Sequence, residues 1–170
     1  MTNYDFVKKF ASLIHYKQAY GPYPYTYHLE LVEETLRKFG FDDEALILSA
    51  HLHDSIEDAN VSYEMIKFGF GEEVAEIVYA ITNEQGRTRR ERYEKTYIKI
   101  KANYKATILK LADRIVNIEF SQDTNSNFKT MYQGEWPEFK KALYEKDKDE
   151  RVNNLWKHLE NLLEKGETNE

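Results

Sequence analysis

The stretch from Ala45 to Asp58 limits what this chain can fold into more than any other. Ala45-Leu46-Ile47-Leu48-Ser49-Ala50 is apolar nearly all round. A helix built on it must lie deep in a core rather than along a surface. The same run leads straight into His51-Leu52-His53-Asp54-Ser55-Ile56-Glu57-Asp58. Read as one continuous helix, the spacing places His53 and Glu57 four apart, Asp54 and Glu57 three apart, and Asp54 and Asp58 four apart. An imidazole and three carboxylates then share adjoining stripes of one face. His51 sits roughly 200° round from His53 and stays outside the group. Carboxylates carried into a core must be paired or bound to metal, because a bare buried charge is too costly.

The rest of the chain reads as helix. Its 170 residues fit one domain, and only seven glycines and three prolines interrupt it. With 41% apolar and 32% charged residues this predicts a compact all-α domain over residues 1–165 and a frayed tail over 166–170. The formal charge of -6 argues against nucleic acid as a partner. No run is long enough to span a bilayer, so no membrane is expected. The absence of cysteine fits a reducing compartment, and the first fifteen residues lack the apolar core of a signal peptide. A soluble, cytoplasmic protein is the expectation, while oligomeric state is not readable.

Phe6, Phe10, Leu13 and Ile14 give a first amphipathic helix, with His15 read as a packed residue. Tyr16 to Tyr27 is a loop with five tyrosines, broken by Gly21, Pro22 and Pro24. It reads equally as packed aromatics and as a wall for a planar ligand, Tyr25 included. A second helix follows, with His28 near its start and Gly40 at its end. Ser62 caps a short helix through Phe68, and Glu72–Ile81 forms another. Asn83 to Thr88 is a loop leading into Arg87, Arg89, Arg90 and Arg92. That cluster is either a solvated helix start or a phosphate clamp, and an acidic protein favours the clamp slightly. Ala106–Phe120 carries Asp113 in an apolar setting with Asn117 four residues on. Gln122 to Asn127 reads as a linker, and Trp136 to Leu163 as helix interrupted near Asp147–Asp149.

These motifs are familiar in combination. His53-Asp54 resembles the signature of the HD superfamily of metal-dependent phosphohydrolases. His53-Asp54-Ser55-Ile56-Glu57-Asp58 resembles the H-D-x-x-E-D motif of its Rel/SpoT-type members, which include the small Mesh family. Phe68 to Val74 and Ala80-Ile81-Thr82 are similar to further family segments. Lys110-Leu111-Ala112-Asp113-Arg114 with Asn117 resembles K-L-A-D-R-x-x-N. Trp136, Lys140 and Tyr144 are similar, more loosely, to a nucleotide-contacting pattern of the Mesh family. The resemblance runs from about residue 10 to about residue 145.

It implies an HD-type helical bundle hydrolysing a phosphate or pyrophosphate ester of a nucleotide, with (p)ppGpp 3′-pyrophosphohydrolase the leading specific expectation. The implied metal ligands are His28, His53, Asp54 and Asp113. Such a nitrogen–carboxylate set suits Mn²⁺, Zn²⁺ or Fe²⁺, and the resemblance favours Mn²⁺. Glu57 would be the general base, with Asp58 beside it. Asn117, Arg87, Arg89, Arg90, Lys140, Tyr144 and Tyr25 would meet the substrate. Two rivals stand: a phosphatase of another nucleotide, such as a nucleoside monophosphate or NADPH, and a binding module without turnover. The family's arginine–lysine pair for guanine is replaced by Ala19 and Tyr20, and Ile118-Glu119 replaces an apolar residue followed by arginine.

Overall fold

A computed structural model describes residues 3–123 and 127–164, so the tail expected to fray lies outside the described residues. The elements run α1 (Asn3–Ile14), β1 (Ala19–Tyr20), β2 (Tyr23–Pro24), α2 (Tyr25–Lys38), α3 (Glu44–Leu52) and α4 (Ser55–Asp58). They continue with α5 (Tyr63–Phe70), α6 (Glu72–Ile81), α7 (Arg89–Ala102), α8 (Tyr104–Asp123), α9 (Phe128–Leu143) and α10 (Glu150–Glu164). The fold is all-α, as the glycine-poor, periodic sequence predicts; the strands form only a two-residue antiparallel ladder. No helix among the described residues is long and apolar enough to cross a membrane.

Side-chain caps start several helices. Asp43 accepts from the Leu46 N–H, Ser62 from Met65 and Thr88 from Glu91, each satisfying a donor that the first turn leaves open. Two positive-φ glycines shape turns of the chain. Gly40 (φ +84) closes α2. Gly21 (φ +59) turns β1 into β2, where a Cβ would meet the Phe120 ring at 2.6 Å.

Helix α8 is the centre of the bundle, packing against α2, α3, α6, α7, α9 and α10. Leu109, Leu111, Ile115 and Ile118 on α8 are fully buried, and they meet Leu36, Ile77, Phe139, Leu155 and Leu159 in the main core. A smaller cluster joins α1, α3, α5 and α6 through Val7, Leu48, Leu52, Ile66 and Val78. Every residue from Leu46 to Leu52 is buried, so α3 is the core helix its composition demands. The face of α1 differs from expectation. Val7 and Ala11 are the buried residues, Leu13 is 70% exposed, and Phe6 and Phe10 pack on Phe70 instead. Two small residues allow α1 to approach α3 closely, which the larger ones would prevent.

Beneath α1 lies a buried polar network. Glu33 accepts from the Tyr4 hydroxyl (2.9 Å) and from Arg37 Nε (2.8 Å), and its Oε2 lies 2.7 Å from His51 Nε2. Burial raises the Glu33 pKa, but the hydrogen bonds from Arg37, His51 and Tyr4 outweigh it and hold the carboxyl below its ordinary 4.5. A depressed carboxylate stabilises the fold above its unfolded pKa and loses that contribution as pH falls through the folded one. The stability gap between the wild type and Glu33→Gln should therefore be full above about pH 4.5 and close as the pH drops further. Thermal melting across pH 3–7 checks this; a gap independent of pH would contradict it.

Candidate active site

The expected single helical face is not what the chain builds. Helix α3 stops at Leu52; His53 keeps helical dihedrals as its C-cap (φ -60, ψ -30), and Asp54 (φ -101, ψ 4) leaves the helix. Ser55 then opens the one-turn α4, tied back by the Asp58 N–H to the Asp54 carbonyl (2.9 Å). The break turns the functional side chains outward from one corner rather than along one stripe. His53 and Asp54 face α2 and α8, while Glu57 turns toward the end of α6.

At that corner three elements converge. His28 from α2, His53 from the α3 end and Asp113 from α8 are all buried, and one ligand atom from each lies within 4.8 Å of the others. His28 Nε2 and His53 Nε2 are 3.2 Å apart, with Asp113 Oδ1 at 3.4 and 3.8 Å from them. Asp54 Oδ2 joins at 2.9 Å from His53 and 4.0 Å from His28. Donors about 2.1 Å from one ion sit roughly 3 Å apart in adjacent positions and roughly 4 Å apart in opposite ones, so these separations fit a shared cation. Two histidines pointing their Nε2 atoms at each other beside two carboxylates have no packing purpose of their own. The residues fit a divalent metal ion.

The surroundings prepare the donors. The Ala50 carbonyl, 2.8 Å from His53 Nδ1, accepts a hydrogen bond from Nδ1–H and leaves Nε2 as the facing atom. Tyr20 packs its ring 4.7 Å from His28, and its hydroxyl donates to Asn117 Oδ1 (2.8 Å); Asn117 Nδ2 in turn donates to Asp113 Oδ1 (2.8 Å). Lys110 donates to the other Asp113 oxygen (2.9 Å), and the Tyr25 hydroxyl donates to Asp54 Oδ2. Burial lowers the His53 pKa, but the Asp54 charge and hydrogen bond, with Asp113, push it up to about 9. Burial raises Asp113, yet Lys110 and the two histidines hold it well below the carboxylate range.

Glu57 and Asp58 flank this group differently. Glu57 is held by Asn83, whose backbone N–H donates at 3.2 Å and whose amide donates at 2.9 and 3.1 Å. Asp58 accepts from Gln18 Nε2 (3.0 Å), and burial followed by the Asp54 charge raises its pKa. Asn83, Gln18 and Lys110 carry no expected role in the sequence, whereas Tyr20 belongs to the tyrosine loop read there as a possible ligand wall. Of the other three, Lys110 carries a signal, as the first residue of K-L-A-D-R.

These residues open into a cleft of about 270 Å³, lined also by Ala19, Arg89, Phe128 and Tyr132. Of the arginines expected to meet phosphate, Arg89 lines it, paired with buried Glu135 at 2.5 Å. Arg90 instead turns to Glu94 and Glu138 on the exposed side, and Arg87 uses its backbone N–H on Glu91. Lys140 and Tyr144 share a face with Trp136 as their spacing predicts, but that face meets α10. They line a separate hollow with Trp156, and Lys140 pairs with Glu160. Tyr25 serves Asp54 through its hydroxyl, and Tyr23 packs against Tyr27 with ring centres 4.3 Å apart outside the cleft.

No family model matches the chain. Curated relatives do. The guanosine-3′,5′-bis(diphosphate) 3′-pyrophosphohydrolase of Aquifex aeolicus is 35% identical over 100 residues, covering 56% of this chain and 14% of that protein. The Xenopus tropicalis MESH1 protein of the same enzyme name is 33% identical over 81 residues, covering 46% of this chain and 45% of that one. The alignments thus span less than half of either relative. A solved structure of a metazoan ortholog of SpoT that hydrolyses ppGpp superposes with a TM-score of 0.79 at 23% identity, covering 97% of this chain and 96% of that one. The chain is related in sequence to proteins bearing that enzyme name and has the fold of the SpoT ortholog.

Proposed function

We propose that the chain is a Mesh-like hydrolase of the HD superfamily, a metal-dependent enzyme that cleaves a pyrophosphate ester from a nucleotide, with (p)ppGpp as the leading substrate. The observation that carries this reading is the buried meeting of His28, His53 and Asp113, with Asp54 at its edge and Glu57 beside it. The relatives' shared enzyme name supports the substrate class.

His28, His53, Asp54 and Asp113 would hold the ion, and the Rel/SpoT resemblance favours Mn²⁺. A bound divalent ion supplies Lewis acidity to a phosphoryl oxygen and acidity to a water. Glu57, fixed by three hydrogen bonds from Asn83, orients the attacking water and takes its proton. The water oxygen bonds to phosphorus, the P–O bond to the ribose breaks, and the departing ribose oxygen takes a proton from solvent water to leave as a hydroxyl, Glu57 returning its own proton to solvent. Asp58 is the partner carboxylate, and Arg89 with Lys110 offsets the phosphate charge at the cleft wall. Asn117 keeps Asp113 oriented through its amide.

The base is left with aromatic walls. Tyr20, Phe128 and Tyr132 form a row of nearly parallel rings, with interplanar angles of 18° and 17°, and Ala19 brings no donor. Stacking is worth about 1–3 kcal/mol per base and tolerates base identity. Guanine and adenine substrates with the same phosphates should therefore differ in kcat/KM by less than roughly a hundredfold. A preference of several orders of magnitude would contradict this.

Turnover distinguishes the reading from its rivals. Phosphate and pyrophosphate release from a nucleotide panel with Mn²⁺ is measured beside equilibrium binding of the same panel. Pyrophosphate release from the bis(diphosphate) is expected. Phosphate release from monophosphates or NADPH alone would favour the other phosphatase, and binding without release would make the chain a nucleotide-binding module.

A further inference from the structure

Glu57 is held by one loop residue, Asn83, through its backbone N–H and its side-chain amide. A loop residue fixes a partner only as firmly as its own backbone is fixed. Here that backbone is clamped from α7. Lys99 Nζ donates to the Tyr79 carbonyl (3.1 Å) and the Thr82 carbonyl (2.9 Å), and it pairs with Glu84 Oε1 (2.6 Å). An ammonium has three donors, and each finds an acceptor here. The same nitrogen stands 4.2 Å from the centre of the Tyr79 ring. Three residues earlier, on the same face of α7, the Thr96 hydroxyl donates to the Arg92 carbonyl (2.7 Å) and accepts from the Glu84 N–H (2.9 Å). Thr82 and Glu84, the two neighbours of Asn83, are thus both tied to α7.

Closing α6 does not need this much. Thr82 already closes it, because its N–H and its hydroxyl both return to the Val78 carbonyl (3.1 and 2.8 Å). A lysine beside the last carbonyls adds favourable charge at the negative end of a helix. The reach on to Glu84 passes Asn83 and adds nothing to the helix. Neither Lys99 nor Thr96 lines the metal cleft, so neither meets the reacting atoms.

We infer that Lys99, with Thr96, is a positioning residue for Glu57: the two hold residues 82–84 so that Asn83 keeps the carboxylate at the cleft. This role rests on the hydrolase reading above, in which Glu57 is the base.

The test measures steady-state kinetics on ppGpp with the full chain loaded with Mn²⁺. Lys99→Met keeps the stem over Tyr79 and loses the donors, and Thr96→Val keeps the shape and loses the hydroxyl. Lys101→Met makes the same change as Lys99→Met at a residue of α7 paired with Glu145. Lys99→Met and Thr96→Val should each lower kcat roughly ten- to a hundredfold, the cost of a misplaced catalytic group, with KM near wild type. Lys99→Arg should recover part of the loss, and Lys101→Met should lose nothing. In the Glu57→Gln background the loss should vanish, because no base is left to place. Equal proportional losses in both backgrounds would make the role merely structural and overturn the inference. So would wild-type kcat in Thr96→Val, even if Lys99→Met fails to fold.

A second reading needs no turnover. With Zn²⁺ replacing paramagnetic Mn²⁺, Glu57→Gln should shift the Asn83 side-chain amide signals in the NMR spectrum of the otherwise wild-type chain and leave them unmoved in Lys99→Met. That pattern without turnover of any nucleotide would keep the placement of Glu57 and remove the hydrolase reading. Turnover with equal Asn83 shifts in both chains would do the reverse.

Discussion

Replacing Glu57 by glutamine should lower turnover by about 10²–10⁴-fold, the range a positioned general base contributes. Glutamine keeps the shape and can still accept from Asn83 through its carbonyl oxygen, but it cannot take a proton from water. Glu57 is exposed at the cleft and does not enter the buried His28–His53–Asp113 group. The fold and the metal content should therefore survive. Steady-state kinetics with metal analysis of the same preparation reads both. Full activity in Glu57→Gln would transfer the role to Asp58, which already has the raised pKa.

Asp113→Asn should have a larger effect still. Asp113 stands 3.4 and 3.8 Å from the two imidazoles and is held by Lys110 and Asn117. The amide removes one anionic donor from the group and leaves Lys110 without its carboxylate. Loss of Mn²⁺ retention after gel filtration and loss of measurable turnover are expected together, with the helical circular dichroism retained. An Asp113→Asn chain that holds Mn²⁺ as tightly as wild type would remove Asp113 from the ligand set.

Much of this was legible in the residues. Helix α3 announces its burial through an apolar run, and α6 through its stripe at Val74, Ile77, Val78 and Ile81; the described bounds of α6 match the expected Glu72–Ile81. His28, His53, Asp54 and Asp113 come together from three separate segments, a long-range juxtaposition that the motif order implied and periodicity alone could not. Spacing failed where a helix ends. Nothing in the 3.6-residue repeat shows that the chain breaks at Asp54, so Glu57 was assigned to the His53 stripe although it turns to Asn83. Asn83 carries no such signal, because a lone asparagine in a loop has no pattern. Spacing also cannot say which neighbour a face meets. Trp136, Lys140 and Tyr144 do share one, but α10 covers that face while the cleft takes Phe128 and Tyr132. The arginine cluster divides for the same reason: consecutive residues on α7 point about 100° apart, so Arg89 turns inward and Arg90 outward.

The central claim is that the buried histidine–aspartate group binds the ion on which hydrolysis depends. The chain is stripped with a chelator, then Mn²⁺ is added in fractions of an equivalent while bound metal and pyrophosphate release from ppGpp are measured on each sample. Release should rise in proportion to bound metal and level off at one ion per chain. Release that is independent of bound metal, or absent at full loading, would contradict the account.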